Sequence, residues 1–280
     1  MHRMSMNEMT TFRWSFEEDV HNYCEAGISA IGVWRQKLSD FGEERGQDLL
    51  HEMQLPVSNL MWAGGFTGSE GHTHRESIQD AIEAVQLAAD LGAPCLVVYS
   101  GSRGGHTSNH AKRLLISALK EITPLAAELN VRLAIEPMHG SCAAGWTFLT
   151  NLDQTVSLLE EVGSPQLGFV FDTYHLAWNP GVIERIPKLV DQIAIVQLAD
   201  GRPPVDSEQI RTRLGEGQLP LVDTIAALVS AGYAGDYDVE ILGPEFDPTG
   251  YRELLRHSSE MFERLLQLAT RSATAFDPTV

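Results

Sequence analysis

Short apolar runs recur along this chain, and between them apolar residues return at every third or fourth position. The first pattern is that of strands buried on both faces, the second that of helices with one buried face. Read this way, strands are predicted at residues 10–14, 28–34, 57–63, 95–99, 131–136, 167–172, 193–198 and 237–242. Helices are predicted at 15–26, 35–54, 75–91, 109–129, 152–162, 182–190, 222–231 and 251–268, with the last dozen residues as a tail. Local signals support the boundaries. Ser15 and Glu18 form a capping box, Gly27 and Gly92 follow helix ends, and Ile78, Ile82, Val85 and Ala89 mark one buried helix face. Eight strand–helix units in 280 residues predict one (β/α)8 barrel, an α/β fold with the barrel over about residues 10–268. No Gly-x-Gly-x-x-Gly follows the first strand, which argues against an open dinucleotide-binding sheet.

Active sites of such barrels form at the C-terminal strand ends, so charged residues terminating the buried runs carry the chemistry. The fifth run ends in Glu136, the sixth in Asp172 with His175 just beyond, the seventh carries Gln197 and then Asp200, and the eighth carries Glu240. Alternation along the strands puts Ala134, Gly168 and Val170 on the inward row with these residues. Leu133, Ile135, Phe169 and Phe171 then face the helices. Three carboxylates converging in a buried place repel one another unless a cation compensates them. Carboxylate and amide oxygens suit a hard divalent ion, so one metal held by Glu136, Asp172, Gln197 and Glu240 is expected.

Composition removes alternatives. The formal net charge of −18 disfavours phosphate backbones and anionic membranes, so neither nucleic acid nor membrane is an expected partner. No apolar run approaches the roughly 18 residues of a membrane span, and the first residues lack the apolar stretch of a signal peptide. Cys24, Cys95 and Cys142 are too scattered for a disulfide framework or zinc ribbon. A cytoplasmic location is the expectation.

The segments Ala-Ile-Glu-Pro at 134–137, Phe-Asp-Thr-Tyr-His at 171–175, Val-Gln-Leu-Ala-Asp-Gly-Arg at 196–202, Leu-Gly-Glu-Gly at 214–217 and Asp-Val-Glu at 238–240 resemble the xylose-isomerase-like superfamily of sugar isomerases and epimerases. The resemblance spans roughly residues 10–268 and includes hydroxypyruvate isomerase, tagatose 3-epimerase, and inosose and 3-dehydroshikimate dehydratases. It implies the same four metal ligands, a substrate contact at His175 and a substrate-anchoring arginine at Arg202, with Arg211 and Arg213 as rivals. It implies Mn²⁺ or Mg²⁺, with Co²⁺ or Zn²⁺ as alternatives, a small carbohydrate or polyol-like substrate, and a homo-oligomer. Gln197 stands where the epimerases have histidine, a departure shared with hydroxypyruvate isomerases. Endonuclease IV lies in the same superfamily, but this chain lacks most of that enzyme's histidines and is acidic.

The implied chemistry is proton transfer beside a carbonyl through an enediolate, with the metal as Lewis acid and Glu136 and Glu240 as acid/base groups. A lyase that expels a β-leaving group from the same enediolate is the alternative, and a non-catalytic sugar-binding subunit the second. His106, Arg103 and Trp34 are further substrate-contact candidates. His139 is a candidate acid/base or a solvated loop residue, and Trp62 and Trp178 lie near strand ends, where stacking on a sugar ring and ordinary packing are the two readings. His72 and His74 read as solvated loop residues.

Overall fold

The computed structural model describes residues 2–69, 71–205 and 210–275. Eight parallel strands close into a barrel in chain order: β1 (Met4–Asn7), β2 (Ile31–Trp34), β3 (Val57–Gly64), β4 (Cys95–Tyr99), β5 (Arg132–Ile135), β6 (Leu167–Asp172), β7 (Ile193–Leu198) and β8 (Tyr237–Val239). Closure is made by β1 against β8, with Ser5 opposite Asp238. Outside lie α1 (Phe16–Glu25), α2 (Arg35–Phe41), α3 (Glu43–Glu52), α4 (His74–Asp90), α5 (Ser108–Glu128), α6 (Leu152–Val162), the one-turn α7 (Thr173–Leu176) and α8 (Ile186–Leu189), α9 (Leu221–Ser230) and α10 (Tyr251–Ala275). No helix among the described residues is long and apolar enough to cross a membrane.

β2, β5 and β8 are shorter than expected, and α10 runs beyond residue 268 to Ala275, into the stretch expected as a tail; three further elements differ in place or kind. The first strand lies not at 10–14 but at Met4–Asn7, so the barrel begins before residue 10. Met-Ser-Met-Asn alternates as a strand should, but methionine is a weak strand former beside the β-branched and aromatic residues that follow. Those residues turn over the strand end instead: Thr10 N–H donates to Asn7 O at 2.9 Å and Trp14 N–H to Thr11 O at 2.8 Å. The helix expected across 35–54 is two helices, split at Gly42, whose φ of 105° lies outside the helical region. The stretch expected as a helix at 182–190 is α8 flanked by two 3-10 turns, with Pro187 in its first turn.

Alternation sorts the strands as expected. Ala134 and Val170 lie in a small apolar cluster inside the barrel with Met61, Val97 and Ile195. Leu133, Ile135, Phe169 and Phe171 belong to the larger core between strands and helices. Beneath β1, β3 and β8 the interior is polar: the buried Asp238 carboxylate accepts from Ser5 Oγ, Asn7 Nδ2 and Asn59 Nδ2 at 2.7, 2.7 and 2.9 Å. Gly32 opens this space, since a Cβ there would lie 2.7 Å from Asp238 Oδ2.

A second buried polar group braces the loop after β1. Lys37 Nζ donates to Asp19 Oδ2 at 2.5 Å and to the carbonyls of Glu8 and Thr11 at 3.1 and 2.9 Å. Burial, then the Asp19 charge, holds the neighbouring Glu8 carboxyl well above its ordinary value, while Glu8 Oε2 accepts the Trp34 N–H at 2.7 Å. Removing one partner of a buried ion pair strands the other without solvation. Lys37→Met is therefore expected to cost roughly 3–5 kcal/mol in denaturant unfolding, with much of the loss recovered in the Lys37→Met/Asp19→Asn double variant.

Candidate metal centre

Strand ends β5 to β8 deliver four polar side chains to one side of the barrel mouth. Glu136 follows Ile135 directly, its N–H donating to Val98 O at 2.9 Å, and the Glu240 N–H donates to Leu198 O at 3.0 Å. Asp172 closes β6 and pairs in register with Gln197 on β7. Its Oδ1 caps α7 by accepting the Tyr174 N–H at 2.7 Å. That single turn brings His175 back over the carboxylate, Nε2 lying 3.8 Å from Asp172 Oδ2. All five side chains are buried. One ligand atom each from Glu136, Asp172 and His175 lies within 4.8 Å of the other two.

A sixth residue enters from the long connection between β7 and α9. Arg211 is wholly buried; its Nη2 lies 2.9 Å from Asp172 Oδ2 and 3.6 Å from Glu240 Oε1, while its Nη1 donates to Glu240 O at 2.9 Å. The guanidinium also lies 5.1 Å from the centre of the Tyr174 ring. Arg211, and not Arg202, is thus the arginine that contacts the acidic cluster. Arg202 is exposed, and its Nε and Nη2 both donate to Glu216 O. The cause is the path of the loop. Arg211 N–H donates to Leu242 O at 2.7 Å and Thr212 bridges Asp200 in antiparallel fashion, so the side chain between them turns inward. Asp200 holds the rest of the loop by accepting from the N–H groups of Gly201, Gly215, Gly217 and Leu219.

Electrostatics in this pocket follow from burial and crowding. Burial, then Glu240 and Asp172, holds the Glu136 carboxyl well above its ordinary value. Burial pushes Glu240 up to about 7 although Arg211 opposes the shift. Burial takes His175 down to about 4, so its imidazole is neutral at pH 7. For Arg211, burial works to lower the value, and the charges of Asp172, Glu240 and Glu136 outweigh it and raise it.

This donor set fits a divalent cation. Glu136 Oε2, Glu240 Oε2, Gln197 Oε1 and both His175 ring nitrogens are buried without a hydrogen-bond partner, a costly arrangement that a shared cation relieves. Once all three carboxyls are ionised, as a cation would favour, they leave two negative charges against one guanidinium, the charge such an ion cancels. His175, expected as a substrate contact, is also placed among the possible ligands.

Other candidates sit elsewhere on the mouth. His106 Nε2 bonds Thr67 O at 3.0 Å, and Arg103 reaches Ser108 Oγ. His139 Nδ1 bonds Ser141 Oγ at 2.6 Å. The Trp34 ring stacks on Phe12 at 5.4 Å between centroids. His74, expected as solvated, is half-buried, its Nε2 bonding Leu114 O at 3.0 Å.

Together these features define a closed parallel barrel with a buried, acidic, ion-sized cluster at one side of its mouth. Residues 21–262 match the xylose isomerase-like TIM barrel family, and the chain belongs to that family. A probable endonuclease 4 of Mesomycoplasma hyopneumoniae is 31% identical over 159 residues, 53% of this chain and 55% of that one, so this chain spans about half the length of that relative. Fructoselysine 3-epimerase of Shigella flexneri is 23% identical over 91% of this chain and 94% of its own. A solved Sinorhizobium meliloti protein superposes with a TM-score of 0.86 at 26% identity, covering 94% of this chain and 98% of that one. The likeness to an endonuclease does not exclude a nucleic-acid ligand, and the expected absence of one rests on the chain's acidity and its missing histidines.

Proposed function

We propose that this chain is a divalent-metal-dependent isomerase or epimerase acting on a sugar or keto-acid by moving a proton at the carbon beside a carbonyl. The observation that carries this reading is the pair of partnerless buried oxygens, Glu136 Oε2 and Glu240 Oε2, in one crowded acidic pocket. Glu136, Asp172, Gln197 and Glu240 would hold the ion, with His175 as a further donor. When bound, the ion, Mn²⁺ or Mg²⁺ by the oxygen-rich donors, supplies Lewis-acid polarisation of the carbonyl.

The chain's own groups do the rest. Glu136 and Glu240 stand at the ends of non-adjacent strands, β5 and β8, so one takes the proton and the other returns it to the neighbouring carbon or the opposite face. Burial moves both upward, Glu240 to about 7 where proton transfer is favoured, although a bound cation lowers them again. Neutral His175 contacts a substrate oxygen, and Arg211 orients Asp172 and Glu240. Likeness along the whole length of an epimerase relative supports isomerisation, while a 3-dehydroshikimate dehydratase that is 25% identical over 82% of this chain keeps elimination as the second reading.

The test is incubation of Mn²⁺-loaded protein with ketoses, inososes and short keto-acids in D₂O, followed by NMR. Incorporation of one deuterium beside the carbonyl together with an isomeric product is the expected result. An unsaturated product would reassign the chain as a lyase. Polyol binding with no exchange would leave it a binding subunit, and failure to retain any divalent ion would overturn the metal-dependent reading.

A further inference from the structure

The barrel mouth has two chemically different halves. Glu136, Asp172, Gln197 and Glu240 stand over β5 to β8, whereas β2 ends in Trp34, β3 carries Trp62 near its end, and β4 ends in Tyr99. The loop after β5 adds a fourth aromatic residue to that second half. Gly101 N–H donates to Trp146 O at 3.0 Å, and Gly101 bridges Thr147, so the loop that leaves Glu136 is pinned across the end of β4. Trp146 thereby lies against Trp62 and Tyr99, with ring centroids 5.4 and 5.7 Å apart.

These rings line one side of a rim cleft of about 330 Å³, whose other side is polar: Arg35, Gln36, Ser39, Glu43 and Asp80. Trp34 and Trp62 also pack on the inner apolar cluster of Ala134 and Val170, the residues two positions before Glu136 and Asp172. The aromatic and acidic halves therefore rest on the same inner layer of the barrel. Trp146 is 42% exposed, a large apolar surface left open beside the mouth, and the Trp62 indole N–H is buried without an acceptor. The one cation lining the cleft among the described residues, Arg35, is engaged bidentately by Asp80 at 2.9 and 3.0 Å and donates to Trp62 O. Nothing there favours a phosphate or carboxylate, and Glu43 on the rim disfavours both. Aromatic rings beside a cation that is already paired suit the C–H face of an uncharged ring.

We propose that Trp62 and Trp146 form a specificity subsite for an uncharged ring that the substrate carries beyond its reacting carbons, making the substrate a ring-bearing sugar conjugate and not a free or phosphorylated monosaccharide. This rests on the metal-dependent reading above for the identity of the reacting end only. Glu8 belongs to the same device at one remove, because its carboxyl holds the backbone of Trp34.

Binding can be read without catalysis, by calorimetry and tryptophan fluorescence on Mn²⁺-loaded protein with D-glucose, glucose 6-phosphate, cellobiose and phenyl β-D-glucopyranoside. The two ring-bearing compounds are expected to bind about tenfold tighter than glucose, and the 6-phosphate no tighter. Trp146→Ala should abolish that preference while leaving glucose affinity within about twofold. Trp62→Phe, which keeps a smaller aromatic face, should reduce the preference only in part. Equal affinities for all four compounds in wild type, or a preference unchanged in Trp146→Ala, would overturn the subsite. Repeating the titration with Glu240→Gln separates the two readings. A preference that survives there without deuterium exchange in wild type would sink the catalytic reading alone, whereas exchange in wild type without any preference would sink the subsite alone.

Discussion

Glu240→Gln is expected to leave the barrel folded, to weaken divalent-ion binding by more than about a hundredfold, and to lower turnover by roughly 10²–10⁴. The amide has nearly the shape of the carboxylate, so the loss reports charge and proton-transfer capacity and not packing. The same variant gives a pH signature. Burial pushes Glu240 up to about 7 from an ordinary value of 4.5. Between those values the folded protein holds this proton more tightly than the unfolded chain does. The metal-free wild type consequently loses stability as pH rises from about 4.5 to 7, by on the order of 3 kcal/mol at most from this group. Glutamine has no charge to bury, so metal-free Glu240→Gln should match wild type near pH 4.5 and exceed it at pH 8. Thermal unfolding across that range checks this, and a variant less stable than wild type at pH 8 would show that the Arg211 contact with Glu240 outweighs burial.

Arg211→Met carries the second large effect. The guanidinium sits between Asp172 and Glu240 and supplies the cluster's positive charge among the contacts the structure shows. Its removal strands buried carboxylates, and metal-free protein should lose roughly 3–5 kcal/mol. An ion then faces three negative charges with no guanidinium sharing their oxygens, so the rise in melting temperature on adding Mn²⁺ should be larger in the variant than in wild type. Turnover should still fall, because Arg211 holds Asp172 and Glu240 in place. Arg211→Lys should not restore it, since a single ammonium cannot span the Asp172 carboxylate and the Glu240 carbonyl together. Calorimetry with Mn²⁺ on the three proteins decides the matter, and an unchanged metal-induced stabilisation in Arg211→Met would show that the guanidinium does not compete for the cluster.

Strands β4, β6 and β7 were legible in the chain to the residue because each is a continuous apolar run with a sharp polar end. The same ends pointed to Glu136, Asp172, Gln197 and Glu240 as neighbours, and the structure brings them to one side of the mouth. β1 was misplaced because its inward residues are polar. Ser5 and Asn7 face Asp238, so the strand carries no apolar run to read, and its inward row makes sense only once β8 lies beside it.

Arg211 and Trp146 mark the boundary. Nothing local separates Arg211 from Arg202 or Arg213; the difference is a backbone bond to Leu242 and a bridge from Thr212 to Asp200, both remote in sequence. Trp146 likewise looks like any loop residue until Gly101 captures its carbonyl. Periodicity and strand-end chemistry are local properties, because each residue's face follows from its neighbours in the chain. They were enough to establish the barrel and the acidic ends of its strands. Which side chain a loop turns inward depends on contacts between distant segments, so the cation in the acidic half and the aromatic wall of the other half were decided by the closed barrel alone.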